Sequence, residues 1–235
     1  GAPRQKIEFK YDYLGRRVSK KLSNWSSGAW ALASEIRFLY SGWNLIGEYA
    51  ASGSTLTLTR SYTWGLDLGG MSAGGAGGLL AIREAATGAS YLPAYDGMGN
   101  LSALIERANG TVAAAYEYSP FGETIRATGT YAATNPFRSA TKYTDTETGL
   151  VYYGYRYYSP SLGRFINRDP IGESGGLNLY GFVGNSPTNA WDLLGVRRLQ
   201  ICRPHGTQPF CHTDADGRVV CTATNVQLPR APDEH

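Results

Sequence analysis

Residues 7–13, Ile-Glu-Phe-Lys-Tyr-Asp-Tyr, alternate apolar and polar side chains and run into Leu14, Gly15 and Arg16. Alternate strand residues face opposite sides of a sheet, so this period of two predicts a half-buried strand entering a tight turn. Arg17 to Leu22 is expected to return beside it. The theme recurs around Tyr40, Tyr62, Tyr95, Tyr116 and Tyr143, each followed within a few residues by glycine. One hairpin with its connection fits each interval. A lone hairpin is marginal in water, so successive hairpins are expected to pair edge to edge over one aromatic layer.

Three stretches vary this rhythm. Residues 151–158, Val-Tyr-Tyr-Gly-Tyr-Arg-Tyr-Tyr, read as the strongest single strand. Alternation would put Val151, Tyr153, Tyr155 and Tyr157 on one face and Tyr152, Gly154, Arg156 and Tyr158 on the other. Residues 28–39 are compatible with a strand or a short helix. Residues 69–78 are a glycine-rich crossing between hairpins. No Gly-Lys-Ser/Thr follows that run and no Gly-x-Gly-x-x-Gly opens a helix there, so it is not read as a phosphate-binding loop, and no cofactor is expected.

Composition supports an all-β reading. The 235 residues include 30 Gly and 17 Tyr, with 17% charged. Aromatic strands punctuated by glycine turns produce that mixture. A net charge of +3 gives no concentrated basic face, and the basic run 16–21 is interrupted by Val18 and Ser19, so no nucleic-acid partner is inferred. No stretch is long and apolar enough for a membrane helix. The chain starts Gly1-Ala2-Pro3, with no leader visible.

Beyond Gly195 the composition changes. Residues 196–235 hold Cys202, Cys211 and Cys221 and all three histidines. Three cysteines permit at most one internal disulfide; that pairing and free thiols both stay open. Their spacing does not form the compact ligand pairs of a zinc finger, and no metal is expected. Asp214-Ala215-Asp216-Gly217 begins like a calcium loop but lacks the distant Glu, and 218–222 reads as a strand, so a hairpin turn is expected. No nuclease, deaminase or transferase constellation is visible in these 40 residues.

Several motifs together resemble the C-terminal core end of the RHS/YD-repeat family. Tyr11-Asp12-Tyr13-Leu14-Gly15-Arg16 and Tyr95-Asp96-Gly97-Met98-Gly99-Asn100-Leu101 match its YD repeat. More specific is the series Thr148-Gly149-Leu150, Tyr155-Arg156-Tyr157-Tyr158-Ser159-Pro160, Gly163-Arg164-Phe165-Ile166-Asn167-Arg168-Asp169-Pro170-Ile171-Gly172 and Asp192-Leu193-Leu194-Gly195. The resemblance implies a spiralling array of antiparallel β-hairpins forming part of a hollow shell, closed by a core-end plug and followed by a short, mostly irregular tail. The corresponding divisions are 1–142, 143–195 and 196–235.

It further implies a secreted or cell-surface parent protein of the polymorphic-toxin kind. The partners would be its own C-terminal effector or cargo, a secretion apparatus and an immunity protein. Arg168 and Asp169 fall where the family's Arg/Lys-Asp-Pro segment lies, beside an implied aspartyl self-cleavage site. Asp192 matches the closing Asp-Pro-x-Gly-Leu motif, which places the cleavage region at Gly195 and Val196. Leu193 replaces the motif's Pro and Val196 its Leu, departures that imply less efficient cleavage. Carboxylate-catalysed hydrolysis needs two acids close enough to share a proton. The separation of Asp169 and Asp192 along the chain does not decide that contact, and both residues also suit simple turn formation. Any enzyme activity is therefore expected to be single-turnover processing. A third reading, adhesion or carbohydrate binding, follows from teneurin-like relatives.

Overall fold

The computed structural model describes residues 4–68 and 75–196, and beyond them the backbone of three short strands. Part of the glycine-rich crossing (69–74), the Asp214 to Gly217 turn, Cys202, and the side chains of Cys211 and Cys221 lie outside the described residues.

The fold is all-β and antiparallel. Ten strands form one meander in chain order: β1 (Gln5–Tyr11), β2 (Arg17–Ser26), β3 (Ala29–Ser41), β4 (Asn44–Ser52), β5 (Thr55–Trp64), β6 (Leu79–Glu84), β7 (Ser90–Tyr95), β8 (Leu101–Glu106), β9 (Val112–Tyr118) and β10 (Thr124–Thr128). Of the ambiguous segment 28–39, residues 29–39 are strand, within β3, and Gly28 lies in the turn before it. Every pairing except β6 with β7 contains a register shift, which bends and twists the sheet.

The turns explain the recurring motif. Asp12 Oδ1 accepts the backbone N–H groups of Leu14 and Arg16 at 3.0 and 2.9 Å, and Gly15 donates to the Asp12 carbonyl. Asp96 holds Met98 and Asn100 in the same way, both at 2.9 Å, with Gly99 donating to its carbonyl. Ser119 repeats the arrangement with Gly122 and Glu123. The glycine in each turn has φ between +73° and +80°, a left-handed conformation that side chains resist.

One face of the meander carries the main core, including Phe38, Tyr62, Ile82, Leu104 and Tyr116. Tyr131, Phe137, Tyr143 and Tyr152 pack onto it from the following segment, with Phe137 edge-on to Tyr62 at 5.0 Å. A charged row crosses this face as well. Buried Glu48 meets Arg60 at 3.0 Å and accepts the Tyr62 hydroxyl at 2.7 Å, while Arg60 reaches Glu84 at 2.6 Å.

A second, four-stranded sheet comprises β11 (Tyr143–Asp145), β12 (Leu150–Tyr152), β13 (Tyr157–Ser159) and β14 (Arg164–Phe165). The expected single strand over 151–158 is therefore two strands of a hairpin. Tyr153 N–H donates to the Arg156 carbonyl at 3.0 Å, and Gly154 takes φ +114°. The glycine lets the chain reverse where aromatic alternation suggested it would continue. Tyr153, Tyr158, Phe165 and Phe182 then form a second core.

Arg17 staples the two sheets. It is 1% exposed, pairs with Asp145 at 2.5 Å, and lies against the rings of Phe38, Tyr143 and Tyr152 at 4.6 to 5.0 Å. Lys20 meets the same carboxylate at 3.1 Å. Two further pairs follow: β15 (Ala190–Asp192) with β16 (Arg198–Gln200), and β17 (Pro209–Thr213) with β18 (Val219–Ala223). The backbone of β17 and β18 flanks the expected turn at Asp214 to Gly217, with Cys211 opposite Cys221 in register.

Candidate functional site

The turn between β12 and β13 presents Arg156, a lone cation in an aromatic run. Its guanidinium lies 3.7 Å from the centre of the Phe165 ring and is 3% exposed. Nη2 lies 3.0 Å from Asp169 Oδ2 and 3.5 Å from Asp192 Oδ2. The two acids, 7% and 5% exposed, thus converge on one nitrogen. Burial pulls the Arg156 proton affinity down from its ordinary value, opposed first by Asp169 and then by Asp192.

Asp169 reaches this position from the loop after β14. Its N–H donates to the Leu179 carbonyl at 2.9 Å, while its Oδ1 accepts Ile171 N–H at 3.1 Å. Gly175 leaves room for the carboxylate, since a Cβ there would stand 2.6 Å from Asp169 Oδ2. Asp192 ends β15. Its Oδ1 accepts the N–H groups of Gly195 and Val196 at 2.7 and 3.1 Å, closing a turn around 192–196. Both aspartates form turns and also share the arginine.

The carbonyls of the 192–196 strap are held one after another. Lys142 Nζ donates to Leu193 O at 2.6 Å, Tyr155 N–H to Leu194 O at 3.0 Å, and Arg156 Nε to Gly195 O. Gly195 has φ +76°, and a Cβ there would press on Tyr153 and Arg156 at 3.1 to 3.3 Å. Burial pushes the Lys142 ammonium down to about 8, against the raising influence of Asp192 and then Asp67. A cleft of about 380 Å³ opens at the cluster, with Arg156, Asp169, Asp192 and Val196 in its wall.

Of the residues singled out from sequence, Asp169, Asp192, Gly195 and Val196 come together. Arg168 is exposed and stands outside the cluster; Arg156 occupies the cationic position instead. Sequence reasoning placed Arg156 on a strand and passed over Lys142. The available signal was a charge embedded in each case among residues destined for a core. Among the described residues no group of three or more His, Cys, Asp or Glu could hold a metal ion.

No family model matches the chain. It is 34% identical over 214 residues, 83% of its length, to the double-stranded DNA deaminase toxin A of Burkholderia cenocepacia. The toxin subunit YenC2 of Yersinia entomophaga is 36% identical over 128 residues, 52% of the chain. The chain resembles Rhs/YD-repeat-like polymorphic-toxin shells and toxin proteins. This Rhs-like chain spans 14% and 12% of the lengths of those two relatives. Its fold matches the crystal structure of TcdB2-TccC3-TEV with a TM-score of 0.62 at 24% identity, over 83% of the chain and 9% of that structure's chain. Both relatives are toxins or toxin subunits by name, and the likeness to the solved structure is one of fold.

Proposed function

We propose that this chain is the closing segment of a secreted shell that encapsulates a C-terminal effector, and that it cuts itself once near Val196. The observation that carries the reading is Arg156, which gathers Asp169, Asp192 and the Gly195 carbonyl at one buried point beside Val196. An acid pair serves hydrolysis when one member acts as base and the other as acid. One carboxylate takes a proton from water as its oxygen bonds to the Val196 carbonyl carbon. The other, protonated, donates to the departing nitrogen as the C–N bond breaks. Two chain ends result, a carboxyl and an amine, with no cofactor consumed.

The meander supplies wall, and the segment from 143 onward supplies the plug against which the strap is fixed. The partners on this reading are the effector, a secretion apparatus and an immunity protein. Electron microscopy of a longer parent protein tests the shell: density surrounding a cavity, with residues 143–196 at an opening, is expected. A solid particle would overturn it. The cut is tested separately by replacing Asp169 with Asn, which should leave the chain whole while the unmodified protein divides.

A further inference from the structure

The proposed cut requires that the 192–196 strap hold one register while water attacks. Asp192 fixes its N–H groups, and two of its three carbonyl contacts come from Tyr155 and Arg156, adjacent residues of a single turn. The third comes from elsewhere. Lys142 lies just before β11, where its own backbone is fixed by Ser139 and Arg138 at 3.0 and 3.1 Å. Its side chain crosses the Tyr153 ring at 5.6 Å and ends on Leu193 O. Tyr153 in turn closes the turn that presents Arg156. Lys142 therefore packs between the strap and the catalytic turn and touches both.

A buried ammonium is costly unless its donors are used. Here one donor is used on a carbonyl of the strap, that of Leu193, three residues before Val196. We infer that Lys142 is a positioning residue for the cut: by gripping Leu193 O it sets the register in which Val196 faces Asp169 and Asp192. This rests on the self-cleavage reading. Among the described residues, the groups facing the ammonium include Asp192 at the end of β15, Asp67 after β5, and the Tyr153 ring. A protonated lysine donates a charge-assisted bond and a neutral one a weaker bond. Cutting should therefore slow as pH rises through about 8.

The test follows the full chain made by cell-free translation, diluted into buffers on either side of that pH and sampled by intact mass. Four forms are compared: wild type, Asp169→Asn, Lys142→Met and Lys142→Arg. Lys142→Met should cut up to about a hundredfold more slowly, the scale expected when a reacting group is misplaced by about 1 Å. Lys142→Arg should still cut, because a guanidinium can donate to the same carbonyl, and should lose the decline above about pH 8. That restored, pH-insensitive cutting is what a merely structural role would not produce.

Wild-type rate and profile in Lys142→Met would overturn the inference, while continued dependence on Asp169 would leave the processing reading intact. An uncut wild type would remove both. Should Lys142→Met lack a cooperative unfolding transition, the arginine variant decides: a flat profile supports the role, and a wild-type decline contradicts it.

Discussion

At the scale of single residues, Arg156 brings two buried carboxylates to one nitrogen. Removing one partner of a buried ion pair strands the others, typically at about 3–5 kcal/mol. Arg156→Met should lower unfolding free energy by that order in denaturant titration, and should also abolish the cut. Lys142 yields a pH prediction with a definite sign. Its folded value is about 8 and its ordinary value 10.5, so between them the unfolded chain binds more protons. The stability cost of the buried ammonium is full below about 8 and is relieved as pH rises toward 10.5. Buried Tyr62, Tyr143 and Tyr153, all raised by burial above 10.0, lose their stabilising contribution as pH rises past that value. The lysine effect is therefore read as a difference: relative to wild type, Lys142→Met should lack the gain between about 8 and 10.5.

Elements were more legible than sites. Hairpins were readable because alternation and turn glycines act locally, and the Asp12 and Asp96 turns show the physics of the repeat: one carboxylate satisfies two backbone donors. Asp12→Ala or Asp96→Ala should each lower the midpoint of thermal or denaturant unfolding, because two backbone donors lose their acceptor. Burial raises the Asp12 carboxyl, but bonds from Arg16 and Leu14 outweigh it and hold the group below its ordinary 3.8. Its contribution is thus present above that value and fades as pH falls through the lower folded one. Residues 151–158 were misread because Gly154 looks like a tolerated gap in a strand; whether it reverses the chain depends on Leu194 and Trp43, which crowd it from distant segments. The acid pair was named from motif resemblance. Its contact could not be read, because Arg156, which joins the acids, enters through that same unforeseen turn.

Across the whole molecule, a buried ion cluster is among the contacts that join meander to plug. Asp145 is fully buried and takes both Arg17 and Lys20. Asp145→Ala would leave two cations in an aromatic enclosure and should destabilise by about 3–5 kcal/mol. Hydrogen exchange should then show the segment from 143 onward opening before the central strands β4 to β8. That outcome matters for function, since the strap is anchored on the plug. The central claim is that a folded plug presents Val196 to Asp169 and Asp192 for a single cut. Intact-mass measurement of freshly made full chain tests it most directly. Two fragments meeting near Val196 in wild type, and one undivided chain in Asp169→Asn, are the predicted result; a wild-type chain that is folded yet stays whole, or that divides equally well without Asp169, would contradict it.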